Sequence, residues 1–292
     1  MRAMPRPAQR AGVTPLRLAS VLGTDAFLGS IVLALFILVA LCAPLLAPYD
    51  PHQFVGQPLE RPGPDHRLGA NDAGQDILSE LIYGTRISLP VGLGAAVGTM
   101  ALGMLVGSVA GYAGGWLDDL LMRIVDVMMT LPRLPLLILL AAYLGSGLIQ
   151  TMVIISLLFW PATARVIRAQ VQSLRQRGYV KMARNFGGSP GYVLARHILP
   201  QIGPLIAFGL VTAAGRAVAM EAGLAFLGLG DPTAKSWGLM MRFALDLPGL
   251  LLTDRWLWWL LPPGLCITLL ILALTFVGMG LERHLQPRLK RR

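Results

Sequence analysis

Four stretches of this chain contain no charged residue over the length that a helix needs to cross a lipid bilayer. A transmembrane helix takes about 20 predominantly apolar residues, and each of the four stretches is at least that long. Only 14% of the 292 residues are charged, whereas a soluble domain has about 25%. The sequence therefore predicts an all-α, polytopic membrane protein. The stretches are 26–47, 87–117, 134–164 and 256–281.

The number of crossings follows from the lengths of these stretches. The stretch 134–164 would make a helix of about 46 Å, well over the roughly 30 Å of a bilayer core. The Gly-Ser-Gly sequence at 145–147 lies near its centre and favours a break, which divides it between two helices. A further apolar run carries Arg216 and Glu221. Six transmembrane helices are predicted, at about 26–47, 88–111, 124–143, 148–167, 204–226 and 256–281.

The basic residues predict which side of the membrane each loop faces. With both termini in the cytoplasm, seventeen Lys and Arg residues lie on the cytoplasmic side and six on the outer side, as the positive-inside rule requires. Membrane orientation thereby explains the net charge of +10 without nucleic-acid binding. The predicted parts are a cytoplasmic segment (1–25), the first transmembrane helix (26–47), an outer segment (48–86), a core of five helices (87–282) with a cytoplasmic loop (168–203) and an outer loop (227–255), and a basic cytoplasmic tail (283–292).

The segment 179–200, YVKMARNFGGSPGYVLARHILP, is a basic, helix-like insertion between the fourth and fifth crossings. Gly187 and Gly188 are typical of the C-terminal end of a first short helix. Ser189 is a favoured N-cap, and Pro190 stands at the favoured first position of a second helix, which is predicted to stop at Pro200. The pattern predicts a small, rigid projection on the cytoplasmic face. The alternative is a solvated basic loop that only fixes orientation.

This segment resembles the cytoplasmic signature loop of ABC-importer permeases. The pattern of that family has Glu-Ala-Ala, a Gly four residues after the last Ala, and Ile-x-Pro about eleven residues further on. Ala183, Gly187, Ile198 and Pro200 match the pattern, whereas Lys and Met precede Ala183 in place of Glu-Ala. In the family the loop seats in a cleft on the ATP-hydrolysing subunit. The resemblance implies an ATPase-coupling loop that contains Lys181, Met182, Ala183, Arg184, Gly187, Gly188, Ser189, Ile198 and Pro200.

Further segments narrow the resemblance to the dipeptide, oligopeptide and nickel permeases. They lie in the same order as in that subfamily, so that the similarity covers nearly the whole chain from about residue 25. The first of them departs from the subfamily, which more often has Arg where this chain has Gln75 and Glu80. The segments are LGANDAGQDILSELIYGTRISLPVGL (68–93), GYAGGWLDDLLMRIVDVMMTLP (111–132), AFLGLGDPTAKSWG (225–238) and LQPRLK (285–290).

The resemblance implies a non-catalytic transport subunit in the inner membrane of a bacterium or archaeon. The sequence has no G-x-x-x-x-G-K-[ST] loop to bind nucleotide phosphates, so no cofactor is expected on this chain. ATP and magnesium are expected on two partner ABC ATPase subunits. A second, homologous permease would complete a heterodimer, and a solute-binding protein would deliver the cargo from outside. Di- or oligopeptides are the expected cargo, and nickel or a metal chelate is the alternative within the family. A secondary transporter or channel without an ATPase is the alternative from another class.

Two ionisable residues inside the fifth crossing are candidates for the translocation pathway. A charged group at mid-depth costs several kcal/mol unless it is paired or hydrated, and Arg216 and Glu221 both lie within that apolar run. The alternative is that each has a partner on a neighbouring helix and only fixes packing. Asp118 and Asp119 in the loop before the third crossing, and Asp126 and Arg133 near its inner end, are predicted to be structural.

Smaller features of the sequence are assigned to packing or to the surface. The second crossing carries small-residue spacings of the GxxxG type, which let helix backbones approach closely. Of the histidines, His52 and His66 lie in the outer segment and are predicted to be surface residues rather than metal ligands. The glycines concerned are Gly94, Gly98, Gly103, Gly107 and Gly111.

Overall fold

A computed structural model describes residues 24–145 and 147–285, and every extended run of regular structure within them is helical. The predicted features of residues 1–23 and of the tail beyond 285 lie outside the described residues. A single π-helical turn, Leu194–Ile198, lies directly before the helix that begins at Leu199. The helices are α1 (Thr24–Leu46), α2 (Ile77–Ala113), α3 (Gly115–Thr130), α4 (Arg133–Leu144), α5 (Leu148–Arg175), α6 (Gly178–Asn185), α7 (Pro190–Val193), α8 (Leu199–Phe226), α9 (Trp237–Asp246), α10 (Trp256–Trp259) and α11 (Leu261–Leu285).

Five of these helices are long and apolar enough to cross a membrane, and a bent pair supplies a sixth crossing. The five candidate spans contain α1, α2, α5, α8 and α11, with mean hydropathies between 1.5 and 2.8. The pair α3 and α4 passes the same test only when the two helices are taken together. The prediction of an all-α polytopic protein is confirmed, with five spans or six if the bent pair counts as one.

The third crossing differs from the single helix that was predicted at 124–143. The chain bends by 88° between α3 and α4. Leu131 at the bend has an extended backbone, with ψ 136°, because the ring of a following proline disfavours the helical conformation in the residue before it. Pro132 and Pro135 stand at the first positions of the second limb, where a missing N–H costs no helical hydrogen bond. The prediction of one continuous helix was wrong.

Two helices extend beyond the membrane spans predicted for them, and one predicted helix end was wrong. Helix α2 begins at Ile77 rather than near 88, since the carboxylate of Asp76 accepts a hydrogen bond from the backbone N–H of Ser79 as an N-cap. Helix α5 continues to Arg175 instead of ending near 167. The second helix of the insertion does not stop at Pro200, because Pro200 lies in the first turn of α8, where proline is tolerated.

The glycines of α2 form the contact with α5. A Cβ atom at Gly98 would lie 2.2 Å from Oγ of Ser156, and one at Gly107 would lie 2.4 Å from the carbonyl oxygen of Ala164. Both distances are too short for real atoms, so the two helices are held at a separation that only glycine allows. The prediction that these glycines serve helix packing is confirmed.

The side of the bundle opposite the insertion is covered by a folded layer, which we call the cap (residues 47–76 and 231–260). Its two parts meet at Gly69, where an added Cβ would lie 3.2 Å from Nε1 of Trp258. The cap packs on the bundle through Trp237, which is fully buried and donates a hydrogen bond of 2.9 Å from Nε1 to the carbonyl oxygen of Leu81. The cap and the insertion therefore mark the two opposite ends of the molecule.

Candidate coupling hairpin and translocation residues

The insertion forms a helical hairpin, which we call the coupling hairpin (α6, the turn at 186–189, α7 and the π-helical turn). Gly187 has a φ of +84°, a backbone conformation that is costly for residues with a side chain. The backbone N–H of Gly188 donates to the carbonyl oxygen of Ala183 at 3.0 Å. Oγ of Ser189 accepts a hydrogen bond of 3.3 Å from the N–H of Tyr192, so the predicted glycine turn and serine cap are both confirmed.

Aliphatic side chains fix the base of the coupling hairpin to the bundle. Val180, Val193 and Ile198 are fully buried. They share a cluster with Met100 of α2 and Ile167 of α5. Because each buried aliphatic side chain contributes about 1.5–3 kcal/mol, the hairpin is a rigid extension of the helices rather than a loose loop.

The tip of the coupling hairpin is apolar as well as basic. Phe186 is 84% exposed and Met182 is 58% exposed. Lys181 and Arg184 are exposed beside them, and neither forms an ion pair with any residue that the structure describes. An exposed aromatic ring flanked by unpaired cations is suited to a partner with an apolar pocket and an acidic rim. Of the remaining predicted coupling residues, Ala183 and Gly188 are half-buried, Gly187, Ser189 and Pro200 are exposed, and Ile198 is buried.

The two predicted pathway residues on α8 have different environments and do not pair. Glu221 is only 4% exposed, and its Oε2 accepts a hydrogen bond of 3.3 Å from Oγ of Ser88 on α2. Ser236, the N-cap of α9, lies beside this carboxylate. Glu221 therefore joins two transmembrane helices to the cap, which favours the packing role for this residue.

Arg216 is exposed and borders two cavities between α8 and its neighbours. The larger cavity has a volume of about 160 Å³ and is lined by side chains of α2, α5 and α8, among them Met100, Thr163 and Thr212. The smaller cavity lies beside Phe159 and Met220. Arg216 has no carboxylate partner among the residues described.

Two acidic residues of α3 are held by arginines of α5. The carboxylate of Asp118 accepts from Nε and Nη2 of Arg168 at 2.5 and 2.7 Å, a bidentate geometry. Asp126 pairs with Arg165. These contacts agree with the structural role that was predicted for both aspartates.

Arg133, for which a structural role near the inner end of the third span was also predicted, lies at the bend of that span. It is the first residue of α4, just after the bend. Its guanidinium carbon lies 5.4 Å from the ring centroid of Phe159 on α5. Phe159 in turn lines the cavity beside Arg216. The bend that brings Arg133 to Phe159 was not predicted, because this segment was interpreted as a continuous helix.

A buried polar network ties the cap to the start of α2. Nζ of Lys235 donates to Oε1 of Glu80 at 2.5 Å and to Oε1 of Gln75 at 2.6 Å. Nδ2 of Asn71 donates to the same two acceptor atoms, at 3.1 and 3.0 Å. The side chains of Glu80 and Lys235 are 3% and 12% exposed. The network closes the cap against the bundle with little access for water.

The predicted surface position of His66 was wrong. Its ring is buried, with Nδ1 3.0 Å from Oδ1 of Asp76. His52 is exposed as expected. No three His, Cys, Asp or Glu side chains come together as a metal site within residues 24–145 and 147–285.

Comparison with known proteins identifies the family of this chain. The family model described as "Binding-protein-dependent transport system inner membrane component" matches residues 103–291. The model described as "N-terminal TM domain of oligopeptide transport permease C" matches residues 26–62. The first match contains the coupling hairpin and four of the candidate crossings, the second contains α1, and residues 63–102 lie between the two matches.

Individual relatives agree with the family models over most of their length. A protein of Brucella ovis that is provisionally named a peptide permease is 37% identical over 265 residues, 90% of this chain and 87% of that protein. The di/tripeptide transport system permease protein of Pseudomonas aeruginosa is 36% identical over 272 residues, 90% of this chain and 88% of that protein. The dipeptide transport system permease protein of Alkalihalophilus pseudofirmus is 34% identical over 276 residues, 91% and 86% of the two chains.

These matches define the class of protein. The chain is a permease subunit of the binding-protein-dependent importers, a class of multi-pass membrane proteins that generally have no catalytic activity of their own. Within that class it belongs to the dipeptide and oligopeptide permease family of ABC importers. Membership of this family implies ATPase and binding-protein components in general.

Proposed function

We propose that this chain is one half of a heterodimeric permease that imports di- or oligopeptides through the inner membrane. Both termini and the coupling hairpin face the cytoplasm, and the cap faces the solute-binding protein. Two ABC ATPase subunits, which carry the ATP and magnesium, drive the cycle. A second, homologous permease completes the passage beside α8.

The observation that carries the proposal is the coupling hairpin. Its base is fixed by Val180 and Val193, whereas Phe186 at its tip is exposed. A rigid base transmits a displacement of the tip to the helices, and an exposed tip leaves the aromatic ring free for a partner. The π-helical turn continues the hairpin directly into α8, so that movement of the ATPase subunits shifts α8 as a rigid body.

Peptides are favoured over nickel as cargo by the charges beside the cavities. Arg133 and Arg216 both adjoin Phe159, and neither has a carboxylate partner among the described residues. A bare divalent cation is repelled by two unpaired guanidinium groups, whereas the carboxylate of a peptide is attracted. The relatives named as dipeptide and di/tripeptide permeases support the same assignment.

The cargo is tested by the ATPase activity of the whole importer reconstituted in lipid vesicles. The complex is supplied with its binding protein loaded in turn with dipeptides, with oligopeptides and with nickel. We expect peptide-loaded binding protein to stimulate ATP hydrolysis and nickel to have no effect. Stimulation by nickel alone would assign the chain to metal uptake. A secondary transporter would instead purify without two ATP-binding chains and a second permease.

The role of the coupling hairpin is tested by two substitutions of Gly187. The φ of +84° at this position strains any side chain, so Gly187→Ala shares that strain with Gly187→Arg but lacks its bulk. We expect Gly187→Arg to abolish peptide uptake by blocking the tip, and Gly187→Ala to retain most of it. Both proteins should insert into the membrane in normal amounts. Normal uptake by Gly187→Arg would contradict the coupling role.

A further inference from the structure

Arg216 lies at mid-depth in its crossing. At a rise of about 1.5 Å per residue, it stands about 15 Å below Phe226 and about 18 Å above Pro204. Arg216 is exposed at the surface of this chain. An arginine facing hydrocarbon at this depth is costly, so the surface around it faces either water or another protein chain.

Arg133 reaches the same level from a different element. Its guanidinium lies over the ring of Phe159, which is about 16 Å along α5 from Leu148 and about 12 Å from Ile167. The bend at Leu131 places the start of α4 at this depth. Arg133 therefore contacts the ring of Phe159, and Arg216 lines a small cavity together with the same residue.

Neither guanidinium is neutralised by the described part of this chain. The carboxylates at comparable depth are engaged elsewhere: Asp126 pairs with Arg165, and Glu221 accepts from Ser88. The cation–π contact with Phe159 compensates Arg133 by about 0.5–2 kcal/mol, less than a carboxylate would provide. The two guanidinium groups are therefore able to bind an anion that the described residues do not provide.

The cavity beside Arg216 provides room for such an anion. Its volume of about 160 Å³ exceeds the roughly 30 Å³ of one water molecule several-fold. Thr163 lines it together with Met100 and Phe208. Thr212 lines it as well, and its hydroxyl donates to the backbone carbonyl oxygens of Phe208 and Gly209 at 3.1 Å. A small polar end group with an adjoining apolar side chain matches this lining.

We propose that Arg216, with Arg133 as the second cation, transiently binds the C-terminal carboxylate of a peptide as it crosses the membrane. This inference rests on the proposed function as a peptide permease. A guanidinium binds a carboxylate in bidentate fashion, and the exposure of Arg216 keeps the interaction weak enough for release. The pair forms a cationic station on the pathway that selects for cargo with a free carboxylate.

The first test compares two cargoes in the complete importer. Uptake of alanyl-alanine and of alanyl-alanine amide is measured for the wild type, Arg216→Gln and Arg216→Lys. The same binding protein delivers both cargoes to every variant, so its own preference cancels when each variant is divided by the wild type. We expect Arg216→Gln to lower uptake of the free acid about tenfold and to leave the amide unchanged, with Arg216→Lys in between.

The outcomes separate this inference from the proposed function. A wild-type complex that takes up no peptide and whose ATPase is not stimulated by peptide would contradict the proposed function itself. Equal losses for the acid and the amide in Arg216→Gln, with a normal wild type, would overturn only the carboxylate site. Loss of assembly in Arg216→Gln that Arg216→Lys restores would place a carboxylate of the second permease opposite Arg216 and would also overturn it.

A second test needs no binding protein and no transport. Thr212→Cys, one turn from Arg216 on the cavity wall, is introduced after the native Cys42 and Cys266 are replaced by Ala. Reaction rates of the cysteine with a negatively and a positively charged methanethiosulfonate reagent report water access and local potential. We expect the negative reagent to react faster, and its advantage to fall about tenfold when Arg216→Gln is added. No reaction with either reagent, or an unchanged ratio, would refute the cationic station.

Discussion

The cap and the coupling hairpin lie at opposite ends of the molecule and differ in whether their charged side chains are buried and paired. In the cap, Lys235 is buried and bonded to Glu80 and Gln75. On the hairpin, Lys181 and Arg184 are exposed and have no ion-pair partner among the described residues. The cap is held by contacts within this chain, whereas the tip of the hairpin lacks them.

This difference indicates that the cap is stabilised by contacts within the chain, whereas the tip of the hairpin is available for contact with another protein. Breaking a contact in the cap should reduce the stability of this subunit alone. Changing the tip of the hairpin should leave stability unchanged and weaken the proposed contact with an ATPase subunit. Measurements of stability and of uptake therefore separate the two ends.

The largest effect on stability is expected for Lys235→Met. The substitution leaves the buried carboxylate of Glu80 without its cation, and breaking a buried ion pair in this way costs about 3–5 kcal/mol. We expect that loss in the free energy of unfolding, measured by equilibrium unfolding in mixed micelles.

The double variant Lys235→Met with Glu80→Met provides the control. Removing both charges should restore most of the stability, since no uncompensated charge remains. If the two single losses simply add in the double variant, the side chains do not interact and the account of the cap is wrong.

Phe186→Ser at the tip of the hairpin is expected to change the free energy of binding to the partner subunit, by less than the loss of stability in Lys235→Met. Its effect should be seen in uptake. Exposed aromatic anchors contribute about 2 kcal/mol or more to binding, so uptake should fall at least about tenfold while unfolding is unchanged. Val193→Ser, which alters a buried residue of the same hairpin, should lower stability as well as uptake. A loss of stability in Phe186→Ser would mean that the ring packs within this chain.

The smallest effect is expected for Arg61→Ala in the cap. Arg61 pairs with Asp254 at 3.2 Å, but their side chains are 75% and 49% exposed. Exposed ion pairs contribute about 0–1 kcal/mol, so the free energy of unfolding should change by less than about 1 kcal/mol and uptake should be unaffected. A larger loss would show that the two parts of the cap depend on this surface contact.

Much of the bundle could be predicted from the sequence because length and apolarity are local properties. The uncharged stretches gave the crossings, and the Gly-Gly-Ser-Pro sequence gave the turn and cap of the coupling hairpin. Glycine spacing on α2 indicated close packing, although not which helix would provide the contact. That helix is α5, as the proximity of Gly107 to Ala164 shows.

The errors arose where proline is ambiguous or where contacts are distant in the sequence. Pro90 and Pro161 lie inside continuous helices, whereas the closely spaced Pro132 and Pro135 follow a sharp bend. A proline inside a helix removes one hydrogen bond and is tolerated at Pro90 and Pro161, whereas Pro132 favours the extended backbone of Leu131 that ends α3. The bond between Lys235 and Glu80 joins residues 155 positions apart, and nothing in either local sequence indicates it.

The glycine contact between α2 and α5 limits how the transmembrane helices are able to move relative to one another. The backbone of Gly107 lies directly against that of Ala164, with no flexible side chain between them. We therefore expect α2 and α5 to move together as one rigid body. Conformational change is then expected where helices are not held in this way, and the 88° bend between α3 and α4 at Leu131 is the sharpest such place among the described residues. The distance between probes placed on α2 and α5 should stay constant during transport. The distance between probes placed on α3 and α4 should change.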